Sequence, residues 1–154
     1  RGGNAEARIN GAYHADGEMH VDNTTFIDHI APESRSREHF KGVLDDKARG
    51  VFQGRILVRR DAQQTDGQQM NKALLLSRGA EIDSKPELEI YADDVKCSHG
   101  ATAGELDAQQ LFYLRARGID EESARVMLVQ DEIRSAPVKE AFHAAIAAKL
   151  GDVA

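Results

Sequence analysis

Residues Glu87–Gly104 read ELEIYADDVKCSHGATAG. The stretch holds the single cysteine of the chain, Cys97, with His99 two positions later. Strand-like sequence gives way to helix at its end. On a strand, residues i and i+2 point to the same side, so Cys97 and His99 project together. Thiolate plus imidazole suits zinc, copper or iron–sulfur chemistry. Two ligands do not close a site, for which four is the usual count. No second cysteine is present, so further ligands would come from histidines, carboxylates or another chain. The plainer alternative makes Cys97 a small buried hydrophobe and His99 a hydrogen-bonded residue at a strand end.

Upstream, the sequence reads as many short strands. Ala7–Ala15 and Met19–Ile30 come first, separated by the turn signal Asp16-Gly17. Pro32-Glu33-Ser34 breaks the pattern. His39–Val43, Gly50–Gln53 and Arg55–Arg59 follow, and then the polar run Arg59–Met70, read as a solvated loop or an outward-facing rung. Ala73–Leu76 suits a short buried strand. Ala80–Ile82 and Glu87–Tyr91 are divided by Lys85-Pro86, which bars a central hydrogen-bonded position there. Short strands commonly mean a sandwich or barrel. Hairpin signals are sparse here, however, and ARGVF, AEIDS and ELEIYAD recur as small β units, which favours a parallel solenoid with an open ladder edge.

Downstream, Thr102-Ala103-Gly104-Glu105 has capping-box spacing. It predicts a helix over Glu105–Arg117, with Leu106, Leu111, Phe112 and Leu114 as apolar anchors and Gly118 as the stop. Asp120 is the expected cap of a second helix with an Ala124, Met127, Leu128 stripe. Pro137 would open a third. These helices either pack on the core or lay a face on a partner.

His14, His20, His29 and His39 fall in strand-like segments. Asp28-His29 and Glu38-His39 are candidate carboxylate-supported imidazoles, with solvated histidines as the alternative. Asp93-Asp94 is read as a turn, or as a cation or acid/base pair. No phosphate-cradling glycine loop is present.

The 154 residues are enough for one domain with a core. The net charge of −6, with both signs interspersed, argues against a nucleic-acid surface. No apolar run reaches the roughly 20 residues that span a bilayer. A lone cysteine and no visible secretory signal point to the cytoplasm. The chain opens on Arg1 rather than Met and is expected to be a piece of a longer protein.

The run Pro86–Gly118, PELEIYADDVKCSHGATAGELDAQQLFYLRARG, resembles the SufB/SufD family, its SufD branch in particular. Supporting stretches are VDNTTFIDH (Val21–His29), SREHFKG (Ser36–Gly42), FQGRILVR (Phe52–Arg59) and QMNKALLLS (Gln69–Ser77). The resemblance implies a right-handed parallel β-helix, a single-stranded solenoid, followed by a C-terminal helical region. Residues 1–103 would be the C-terminal rungs of the β-helix core, and 104–154 the ATPase-docking helices. It implies a non-enzymatic scaffold in SUF iron–sulfur cluster assembly. Such a scaffold pairs with a SufB-like subunit through the β-helix end, where unpaired strand edges can take another chain. It docks a SufC-like ABC ATPase through Leu111, Phe112, Tyr113, Leu114, Arg115 and Arg117. The histidine of the family's KCSHG motif falls on His99, and Cys97 takes the motif cysteine. Both would serve a transient cluster shared across the subunit interface. In isolation the opened end could stack on a second copy. Family members are longer, and Gln130-Asp131-Glu132 is polar where they continue apolar. Two other readings stand beside this one: a β-solenoid enzyme acting on a polysaccharide, and an assembly module in which Cys97 and His99 are inert.

Overall fold

The computed structural model describes residues 2–134, with side chains through 131. Seven strands come first: β1 (Glu6–Ala15), β2 (His20–His29), β3 (Arg35–Leu44), β4 (Arg49–Val58), β5 (Asp66–Leu75), β6 (Glu81–Ile90) and β7 (Lys96–Glu105). Helices α1 (Ala108–Ala116) and α2 (Glu121–Arg134) follow. The odd strands form one parallel sheet, in the order β1-β3-β5-β7, and the even strands a second, in the order β2-β4-β6. Each turn of chain therefore lays one strand on each sheet, which makes a parallel β-solenoid.

The turns stack because their corners repeat. Asn4, Glu33 and Gln64 each lie two residues ahead of an odd strand with φ near +60°. Their amides donate to the corner of the following turn, Asn4 to Pro32 O, Glu33 to Gln63 O and Gln64 to Asp94 O. At the other corner Gly17 and Asp46 take positive φ, and Asp46 Oδ2 accepts from the Gly17 amide. Asp16-Gly17 is thus a solenoid corner and not a hairpin, since β1 pairs with β3. Five different residue types take these positive-φ corner positions, so the repeat leaves little trace in the sequence.

Inward positions alternate along each strand. Phe52 and Ile56 are fully buried, and the Phe40 and Phe52 rings meet at 5.0 Å between centroids. Apolar clusters fill the two ends of each turn, one around Leu44 and Ala73, the other around Ile56 and Val58. Between them the lumen is polar, with Ser36, Glu38, Gln69 and Asn71 all buried. On the outer side of the odd sheet, Val43 and Leu74 pack against Val129 of α2.

The structure corrects several local expectations. Asp66–Met70 is not loop but the first half of β5, with Gly67 and Gln69 buried. Pro86 does not divide β6. Among the described residues that strand pairs only with β4, and as an edge strand there it tolerates proline. Thr102–Glu105 caps no helix, because its backbone continues the ladder beside Lys72–Leu75. The cap of α1 is Asp107, whose carboxylate accepts from the Gln109 and Gln110 amides at 2.8 and 3.2 Å. Asp120 does cap α2, accepting from the Ser123 amide. The buried stripe of α2 is Ala124, Val126 and Val129, and Met127 is exposed. The helix expected at Pro137 lies outside the described residues.

Candidate functional site

β7 is the last strand of the odd sheet, so one of its edges has no neighbour among the described residues. Cys97 and His99 both take inward parity on it, opposite Gly67 and Gln69 of β5. The thiol is half-buried against the Ile56–Val58 cluster. Burial pushes its pKa up, and the Gly67 backbone amide only partly opposes that. Cys97 is therefore a protonated thiol in this chain, needing a metal or a nearby cation to become a thiolate ligand. His99 is exposed at the open mouth of the lumen. The two expected ligands are thus brought to one inward line at one end of the solenoid. Among the described residues, no group of three or more His, Cys, Asp or Glu side chains is placed to hold a metal.

The other histidines go elsewhere. His29 is buried between two hydroxyls, Nδ1 to Ser34 Oγ at 2.7 Å and Nε2 to Ser36 Oγ at 2.9 Å. Its neighbour Asp28 is exposed and bound to Arg59 at 2.8 Å. Glu38 faces the lumen while His39, one residue on, faces outward. Consecutive residues of a strand point to opposite faces, so neither Asp28-His29 nor Glu38-His39 forms a carboxylate–imidazole pair. Asp93 and Asp94 sit in the bend between β6 and β7. Sequence reasoning missed the buried Glu38–Gln69 pair, bonded at 2.6 Å. Its signal was parity, since Ser36, Glu38 and Phe40 share one face.

The second region is α1, which buries none of its side chains. Leu111 and Leu114 are half-buried, while Phe112 is 74% and Tyr113 55% exposed. Phe112 therefore anchors nothing within the described chain. Arg117 stacks its guanidinium over the Tyr113 ring at 4.5 Å, and Arg115 pairs with Glu121 at 3.0 Å. The helix presents an aromatic ridge flanked by arginines.

Fold and site define a parallel β-solenoid whose terminal edge strand offers a soft thiol–imidazole pair and whose trailing helix offers an apolar ridge. The family model described as "SUF system FeS cluster assembly, SufBD core domain" matches residues 1–132, and the chain belongs to that family. It is 46% identical over 128 residues to the iron-sulfur cluster assembly protein SufD of Escherichia coli, covering 83% of this chain and 30% of that protein. It is 47% identical over 98 residues to an iron-sulfur cluster assembly SufBD family protein of Synechocystis, covering 64% and 22%. Against SufD of Bacillus subtilis it is 34% identical over 113 residues, covering 73% and 26%. The chain thus spans under a third of the length of these relatives. No helix among the described residues is long and apolar enough to cross a membrane.

Proposed function

We propose that this chain is the cluster-facing and ATPase-docking part of a non-catalytic SufD-like scaffold subunit. The observation that carries the reading is the inward Cys97–His99 pair on an edge strand with no neighbour. A SufB-like subunit adds its own strands to the β7 edge by backbone pairing and completes the ligand set. The nascent iron–sulfur cluster is cargo there, taking the His99 imidazole and, once deprotonated, the Cys97 thiolate. The α1 ridge of Phe112 and Tyr113 receives a SufC-like ABC ATPase. Movement of that ATPase is transmitted through α2, whose Val129 rests on the odd sheet and whose Arg125 bonds the Leu76 carbonyl.

A polysaccharide-cleaving solenoid needs a carboxylic acid with a raised pKa on its flank. Two flank carboxylates of the even sheet are of the opposite kind. Arg59 holds Asp28 low, and Tyr91 with Arg55 holds Glu89 low. Anaerobic iron and sulfide reconstitution of the scaffold complex tests the proposal. His99→Ala should lose the cluster absorbance, and an unchanged spectrum would reject the ligand role.

A further inference from the structure

The lumen carries a polar line that leads inward from His99. The register stacks Ile9, Glu38, Gln69 and His99 on successive rungs of the odd sheet, with Gln69 directly beneath His99. Glu38 and Gln69 are each 2% exposed. Gln69 Nε2 donates to Glu38 Oε2 at 2.6 Å, so the amide nitrogen is turned to the rung below. With Glu38 oxygen as the acceptor, a flipped amide would set oxygen against oxygen. The two polar atoms of an amide diverge from one carbon. With its nitrogen on Glu38, Gln69 keeps Oε1 as an acceptor not used by that rung.

Gln69 Oε1 is buried and has no hydrogen-bond partner among the described residues. A buried acceptor without a donor is unfavourable by about 1–3 kcal/mol. Neighbouring rungs are about 4.8 Å apart, within reach of a glutamine and an imidazole on adjacent strands. The amide has little freedom to go elsewhere. It lies opposite Gly54, where an added Cβ would come 2.1 Å from Gln69 Nε2.

We infer that Gln69, anchored by Glu38, is a positioning residue for His99. It accepts one ring N–H, which selects the tautomer and leaves the other ring nitrogen, with its lone pair, facing the open end. Ligating imidazoles are generally oriented in this way by a carbonyl or carboxylate on the far nitrogen. Glu38 Oε2, by taking an amide proton, makes Gln69 Oε1 a better acceptor. The inference rests on His99 being a ligand, but it concerns the imidazole itself and can be tested with no metal present.

The test is ¹⁵N NMR of the His99 ring in this chain. The wild-type chain should show one tautomer and a protected ring N–H coupled through space to the Gln69 side chain. In Gln69→Leu that proton should be lost, and the ring should return to the mixed-tautomer pattern of a solvated imidazole. The swap Glu38→Gln with Gln69→Glu keeps one donor and one acceptor in the pair and should restore the protected N–H. A mixed wild-type ring, or a ring unaltered by Gln69→Leu, overturns the inference. Failure of the broader reading looks different: reconstitution is then insensitive to His99→Ala whatever the NMR shows.

Discussion

Phe112→Asp separates docking from folding, because the ring is 74% exposed and contributes little to the core of this chain. A phenylalanine presents on the order of 200 Å², so about 150 Å² remains to be covered by a partner. At about 25 cal/mol per Å² that area is worth at most ~4 kcal/mol on binding. Interface anchors of this type typically account for 2 kcal/mol or more, which is roughly a 30-fold loss of affinity. The folded chain should be indifferent, with stability changed by no more than about 0.5 kcal/mol, as for other surface substitutions. Titration calorimetry against a SufC-like ATPase measures the first quantity, and urea unfolding followed by circular dichroism the second. An affinity loss of 30-fold or more with an unmoved midpoint supports the docking face. Undiminished affinity would refute it. Loss of stability by more than about 1 kcal/mol would refute the claim that Phe112 lies outside the core.

Two further outcomes follow from the solenoid itself. Phe52 is fully buried with its ring tilted against that of Phe40, so Phe52→Ala should lower unfolding stability by about 3–5 kcal/mol in denaturant titration. A loss under 1 kcal/mol would mean that the lumen collapses around the gap. His29 concerns pH. With the Ser34 proton on the Ala31 carbonyl, Nδ1–H donates to Ser34 and Nε2 accepts from Ser36. Burial pushes the imidazole pKa below its usual 6.5, with the Asp28 charge opposing. The unfolded chain therefore binds the proton more readily, so this contribution is present above pH 6.5 and is lost as pH falls through the folded value. Melting curves at pH 7.5 and pH 5 should show a smaller drop for His29→Gln than for wild type. Equal drops would exclude His29 as the titrating group.

Much of the site was legible because strand parity is local. A spacing of two puts Cys97 and His99 on one side wherever the strand lies. The polar run Arg59–Met70 misled for the opposite reason. Gln69 looks like a solvent-facing residue, and only a lumen partly filled with hydrogen-bonded side chains takes it inward. The capping-box spacing at Thr102 misled because a ladder already forming against β5 outcompetes a helix start worth about 1 kcal/mol. The exposure of Phe112 is illegible from a helical stripe, which says that one face is apolar but not what covers it.

Residue types and the resemblance they carry were enough for the helical tail and the family, and through the family for the parallel solenoid, which strand pattern alone only favoured over a sandwich; a spacing of two was enough to put Cys97 and His99 on one side of a strand. Only the fold makes β7 an edge among the described residues, gives Cys97 and His99 the lumen-side parity, and stands Gln69 and Glu38 beneath His99. Those facts depend on the register that sets Glu6 against Arg35, Arg35 against Asp66 and Asp66 against Lys96. That register is fixed by how much chain each corner consumes, and the corners are built by backbone geometry that several residue types can adopt.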